Sequence, residues 1–257
     1  DYPVIQGAMS WISDLPGFAS CVAEAGGLPT LALGMKSGSL LERELGALET
    51  VLGGRPYAVN VVALPENPHL DEQLAWVERN RPPFVVIAAG DPSTAGAIRR
   101  AGSEVIYIAS SEGVLRLALE AGIRWIVLEG SEAGGHVGEH TTLTLAQIAL
   151  ELRRREPSLF DGCRIVLAGG ICDRETAFRA FMLGADAVQM GTAYLATEEI
   201  VASGALSPLY QQLVLEASPG GTVVCGEGAG LRVRRVDQDA VDHVFDAGTR
   251  GAVHHPG

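Results

Sequence analysis

Short apolar runs rich in β-branched residues recur along the chain, separated by stretches with helical spacing. The runs are Val4-Ile5-Gln6, Thr30–Leu33, Tyr57–Val62, Phe84–Ile87, Val105–Ile108, Trp125–Leu128, Arg164–Ala168 and Ala187–Met190. They lack the in/out alternation of half-exposed strands, as expected when both faces of a parallel sheet are covered. The segments between them predict helices over Asp14–Ala25, Leu40–Leu52, Asp71–Arg79, Ser93–Arg100, Glu112–Ala121, Leu143–Arg155 and Arg174–Leu183. Asp14 is a candidate cap for the first, with Pro16 in its first turn. Several of these helices stop at glycine (Ala25-Gly26-Gly27, Ala101-Gly102, Ala121-Gly122, Leu183-Gly184), which accepts the left-handed conformation that closes a last turn. The helix–glycine–strand phrase recurs as a quasi-repeat of about 20–35 residues.

Eight strand–helix units predict an α/β fold, a single-domain (β/α)8 TIM barrel over residues 1–236. An open doubly wound sheet is the alternative. A last helix is expected near Ser207–Ala217, followed by Gly220-Gly221, the glycine-rich stretch Gly226 to Gly230, and Arg232, Arg234 and Arg235. Residues 237–257 are polar and read as a loosely held C-terminal tail or linker.

Composition narrows the partners. With 257 residues, 47% hydrophobic, the chain can bury one sizeable core. A net charge of -12 repels phosphate backbones, so nucleic acid and anionic membranes are poor partners, and a small-molecule substrate is expected. No apolar stretch reaches membrane-spanning length, and no basic-then-apolar signal opens the chain. Cys21, Cys163, Cys172 and Cys225 form no C-x-x-C pair and read as free, mostly buried thiols of a reducing compartment, hence a cytoplasmic protein. The chain opens at Asp1 with a candidate strand two residues later, as an excised domain or a trimmed chain would.

In barrels of this kind the chemistry sits at the C-terminal ends of the strands. The first strand ends Gln6-Gly7-Ala8-Met9-Ser10-Trp11, and the third carries Asn60. The sixth leads to Glu129 and on to Ser131-Glu132-Ala133-Gly134-Gly135-His136-Val137-Gly138. The seventh ends Ala168-Gly169-Gly170-Ile171 and the eighth Gln189-Met190-Gly191-Thr192. Gly169, Gly170 and Gly191 in that order read as a phosphate cradle, with Thr192 adding a hydroxyl and a helix start adding partial positive charge. The bland alternative is that these glycines only permit tight turns. His136, among glycines, is a candidate proton-transfer residue over a flat ligand, or else a loop residue bonded to backbone. His136 and His140 lack a third ligand of sensible spacing, so no metal site is expected. His69, His243, His254 and His255 read as solvated, Cys172 as structural, and Lys36, the only lysine, as a solvated surface residue. A mouth so short of its own reactive groups points to a cofactor. A phosphosugar isomerase or aldolase barrel would use the same cradle, with Glu129, Glu132 or Lys36 as base.

The blocks Pro3–Met9, Glu132–Gly138, Ala168–Ile171 and Gly184–Thr192 resemble the signature blocks of the nitronate monooxygenase family, which includes flavin-dependent enoyl-acyl-carrier-protein reductases. The resemblance covers roughly residues 3–235, with its four blocks in order. It implies FMN, with phosphate contacts at Gly169, Gly170, Gly191 and Thr192, and backbone at Gly7, Ala8 and Met9 against the isoalloxazine. Asn60 and Gln189 would be polar flavin contacts, and Ala133, Gly134, Gly135 and Ala168 complete the expected cofactor-binding set. Met9 and Trp11 are candidates to cover one flavin face, or else core. His136 is the implied catalytic residue. The implied reaction oxidises a nitronate or nitroalkane with O2 to a carbonyl compound and nitrite, with His136 taking the α-proton or holding the nitronate. The alternative within the family is enoyl-thioester reduction, with NAD(P)H as electron donor and hydride passing from FMN N5 to the β-carbon. It would suit a domain of a polyketide or fatty-acid synthase, partnered by acyl carrier protein. A non-catalytic scaffold is the other class of reading. The chain departs from full-length members after the eighth strand, where only Thr197 to Val236 stands for the longer segment that normally helps cover the active site.

Overall fold

Each apolar run becomes a strand of one parallel sheet. The computed structural model describes residues 2–34, 36–218, 220–226 and 232–237. The strands are β1 (Val4–Gln6), β2 (Thr30–Ala32), β3 (Ala58–Ala63), β4 (Phe84–Gly90), β5 (Glu104–Ala109) and β6 (Trp125–Glu129). A two-residue strand, β7 (Gly135–His136), precedes β8 (Arg164–Ala168) and β9 (Ala187–Met190). The sheet has 8 strands in the order β1-β9-β8-β6-β5-β4-β3-β2. The two ends meet through Leu28, whose N–H donates to Val4 O and whose carbonyl accepts from Gln6 N, both at 2.9 Å. This closure makes a (β/α)8 barrel and excludes the open sheet.

Helices α1 (Pro16–Glu24), α2 (Gly38–Leu45), α3 (Leu48–Leu52), α4 (Leu70–Asn80), α5 (Ala95–Arg100), α6 (Glu112–Glu120), α7 (Thr142–Arg155) and α8 (Arg174–Met182) surround it. Three more, α9 (Thr192–Leu195), α10 (Glu198–Ala202) and α11 (Pro208–Glu216), follow β9. Successive strand residues point to opposite faces. Ile5, Ala58, Val86, Ile106, Val127, Val166 and Ala187 therefore fill the barrel interior as one cluster. Their neighbours Val59, Val85, Val105, Ile126, Leu128, Leu167 and Val188 pack outward with Leu41, Trp76, Ile98, Leu115 and Leu145 of the helices. Two cores flank one sheet, which is why the runs show no alternation.

The barrel floor is closed by residues that open three strands. Phe84 and Trp125 meet edge to face with centroids 6.4 Å apart, and the Arg164 guanidinium lies 5.5 Å from the Trp125 ring centre.

Several boundaries differ from the expectation. The helix expected over Leu40–Leu52 is two, α2 and α3: the Gly46 N–H still bonds Glu42 O, but a Cβ there would lie 2.5 Å from that oxygen, and the chain turns. The Ser93–Arg100 helix opens as a 3-10 turn, Pro92–Thr94, with the Asp91 side chain accepting from Ser93 N. Asp14 caps nothing; Leu15 holds the cap position of α1. Cys172 is exposed and Cys21, Cys163 and Cys225 are half-buried, so the thiols are less enclosed than expected; Cys163 and Cys172 lie in connections rather than in regular elements. The segment after α11 adds two unforeseen strands, β10 (Thr222–Cys225) and β11 (Val233–Val236), and β11 pairs antiparallel with β7. Glu227 to Gly230 of the glycine-rich stretch, residues 238–257 of the expected tail, and with them His243, His254 and His255, lie outside the described residues. Among the described residues no helix is long and apolar enough to cross a membrane.

Removing the Trp125 ring should leave a void under the inner layer. Trp125→Ala is expected to lower the unfolding free energy by about 3 kcal/mol, read from urea denaturation. A loss below about 1 kcal/mol would remove the ring from the barrel's stability.

Candidate active site

The four strands β1, β9, β8 and β6 are consecutive in the sheet, so the four glycine-bearing ends form one arc of the mouth. At β1, the Gly7 N–H donates to Met190 O at 2.8 Å, and a Cβ on Gly7 would lie 3.2 Å from Gln189 Cγ. Beyond it Met9 N donates to Ser13 Oγ at 2.7 Å, and that hydroxyl reaches Thr30 O at 3.1 Å. Ala8 is half-buried in this turn. The Met9 side chain packs toward Phe18, Val22 and Leu195, so it belongs to the core. Trp11 is 73% exposed and sits at φ 66°, a left-handed conformation that a bulky residue seldom adopts.

At β8, Gly169 and Gly170 take φ values of 97° and 70°, which only glycine enters without strain. At β9, a Cβ on Gly191 would meet nothing within 4 Å, and exposed Thr192 begins α9. The expected helix contribution is smaller than the sequence implied. Helix α9 has 4 residues, and the first turn of α8 is already closed by a reciprocal capping box between Asp173 and Thr176. The cradle expected from the sequence would therefore be built from the backbone of glycine turns.

The His136 loop leaves β6 and lies against this cradle. A Cβ on Gly134 would be 3.1 Å from Thr192 Oγ1. Ala133 N donates to Gly130 O at 3.0 Å, folding the chain back before Gly135 takes a φ of 79°. His136 is exposed and pairs with Val233 of β11, while Val137 N donates to Arg232 O at 3.0 Å. Arg234 reinforces the loop, its Nη2 donating to Ser131 O at 2.9 Å. The short segment after β9 thus holds the histidine loop from outside.

Glu129 ends β6 two residues after inward-facing Val127, so its carboxyl faces the mouth, opposite Ala168 in register. Gln189 Nε2 donates to Glu129 Oε2 at 3.4 Å. Burial alone pushes this carboxyl up to about 7. Asn60, on β3, stands apart from the arc; its buried amide donates to Val86 O at 3.4 Å.

Lys36 is not a solvated lysine. It is 5% exposed and its ammonium lies 2.7 Å from Asp14 and 2.5 Å from Glu44. Burial opposes the charge, but the bonds to Asp14 and Glu44 together outweigh it and raise the pKa above the ordinary lysine range. So occupied, Lys36 ties the loops after β1 and β2 together. His69 is half-buried, with Nδ1 3.4 Å from Glu72. Among the described residues no cluster of histidine, cysteine and carboxylates could hold a metal.

A family model described as nitronate monooxygenase matches residues 1–73 and 66–246. The chain belongs to the nitronate monooxygenase family. It is 29% identical over 279 residues to a probable nitronate monooxygenase of Staphylococcus saprophyticus, an alignment covering 93% of this chain and 77% of that protein. Among solved structures it is similar to FabK from Thermotoga maritima, with 28% identity and a TM-score of 0.81 over 98% of this chain and 77% of that one. It is also similar to a nitroalkane oxidase from Streptomyces ansochromogenes, with 26% identity and a TM-score of 0.77 over 94% and 78% of the two chains.

Within this family member, the sequence signalled the glycines and, with them, Asn60, Gln189 and Glu129, but not the bond between Gln189 and Glu129. Glu129 was legible only as an acid closing an apolar run. The clasp by β11 had no local signal, since backbone pairing leaves little trace in composition.

Because Glu129 titrates near 7 rather than in the ordinary carboxylate range, the folded state retains a proton there that the unfolded chain has lost. The penalty for burying the ionised form is absent below the ordinary range and complete above pH 7. Glu129→Gln should therefore be more stable than the parent at pH 8 and nearly equal to it at pH 4. Equal denaturation midpoints at both pH values would show that Glu129 is solvated.

Proposed function

We propose that the chain is an FMN-dependent oxidoreductase of the nitronate monooxygenase type, taking a nitronate or nitroalkane and O2 to a carbonyl compound and nitrite. The observation that supports this best is the contact of the His136 loop with the cradle, where Gly134 approaches Thr192. The residues fit the group. Positive φ at Gly169 and Gly170 and the open space at Gly191 suit a backbone turn that binds phosphoryl oxygens, with the Glu132 side chain packed behind Gly170. Gly7, Ala8 and Met9 offer backbone to a flat ring, with Gln189 and Ala168 beside them, while Ala133, Gly134 and Gly135 carry the loop over it. Asn60 would reach the ring from the opposite wall.

FMN supplies the electron-accepting chemistry when bound. The chain's part is to position substrate and handle one proton. An exposed imidazole at His136 can remove the α-proton of a nitroalkane, or, protonated, hold the anionic oxygens of a nitronate. A proton-transfer residue so placed contributes about 10²–10⁴-fold in rate.

Purified protein given propionate 3-nitronate in air is expected to release nitrite and consume O2. Rapid NAD(P)H oxidation with crotonyl thioester and no nitrite from nitronates would replace this reading with enoyl-thioester reduction, in which acyl carrier protein becomes the partner. His136→Ala should retain flavin while losing about 10²-fold or more in turnover. Unchanged turnover would remove His136 from the chemistry.

A further inference from the structure

We propose that Thr142, the first residue of α7, is a positioning residue of the phosphate cradle, setting the Gly169-Gly170 turn without touching the phosphate. The inference rests on the reading of that turn as a phosphate site. Thr142 is buried where three segments converge, the end of β8, the His136 loop and the start of α7. Its Oγ1 lies 2.9 Å from Ala168 O and 3.0 Å from Gly169 O, the two carbonyls that lead into the turn. The same hydroxyl is 3.2 Å from Glu132 Oε2, and that carboxylate accepts from Thr142 N at 2.9 Å. The hydroxyl has one proton, which it shares between the Ala168 and Gly169 carbonyls, while the Thr142 N–H bond to Glu132 fixes the residue at the helix start.

Space enforces the arrangement. A Cβ on Gly130 would lie 2.2 Å from both Thr142 N and Oγ1, and a Cβ on Gly169 would lie 2.9 Å from Oγ1. The hydroxyl fills the gap between two glycines. A peptide plane whose carbonyl is held rotates less, so the N–H on its other side keeps its aim. Holding the carbonyl of Gly169 therefore aims the N–H of Gly170, the donor a phosphoryl oxygen would meet.

The test compares FMN with riboflavin, which has the same ring and no phosphate. Both are titrated against flavin-free protein by fluorescence quenching. Wild type should bind FMN more tightly than riboflavin. Thr142→Val, equal in shape but without the hydroxyl, should weaken FMN about tenfold, the size of one lost hydrogen bond, and leave riboflavin unchanged. Thr142→Ser should restore the wild-type ratio. If Thr142→Val does not fold, Thr142→Ala carries the same expectation. Parallel loss of both ligands, or an unchanged ratio, would make Thr142 merely structural and overturn the proposal. A wild type that binds both flavins equally would instead overturn the cradle itself, and one that binds neither would overturn the flavin reading.

Discussion

The barrel depends on a narrow seam, where Tyr2 N donates to Gly26 O and Leu28 bonds β1. Leu28, ahead of β2, makes both main-chain bonds to β1, and without them the eight strands would be an open sheet with two exposed edges. Past Leu28 the main chains part. Thr30 N finds its acceptor in the Gln6 side chain, at 3.1 Å, and the other end of that amide bonds Gly7 O. One buried glutamine thus satisfies the backbone groups that the diverging strands leave behind, as burial demands. Closure is what puts β1 beside β9, and so brings the first block of the sequence next to the last.

The interior changes character along its axis. Phe84 and Trp125 close the floor, valine, isoleucine and alanine fill the middle, and the mouth carries Asn60, Glu129 and Gln189. Polar side chains at that depth need partners. Asn60 uses a neighbouring carbonyl and Gln189 uses Glu129. Glu129 has no cation facing it among the described residues, and its raised pKa is the result.

The strands were legible because burial on both faces demands continuous apolar runs. The glycine turns after β8 were legible because their positive φ values need glycine. Two kinds of feature were hidden. One is interaction between distant segments through polar atoms. Lys36 looks like any surface lysine until Asp14 and Glu44 surround it, and Thr142 looks like a routine helix start until it meets Ala168 and Gly169. The other is backbone pairing that ignores side-chain identity. Val233–Val236 has the composition of a strand, but nothing in it names His136 as its neighbour. The Leu40–Leu52 split at Gly46 was hidden too, since it turns on steric room against Glu42 O rather than on propensity.

The two-residue strand β7 places an unusual demand on reading frame. A slip of one position along β11 would exchange the faces of Gly135 and His136 and turn the imidazole to the opposite side of the ribbon. A single residue inserted or deleted inside Val233–Val236 would shift that register. Evolutionary drift in this segment should thus conserve spacing, with identity constrained at Arg234, whose side chain holds Ser131 O.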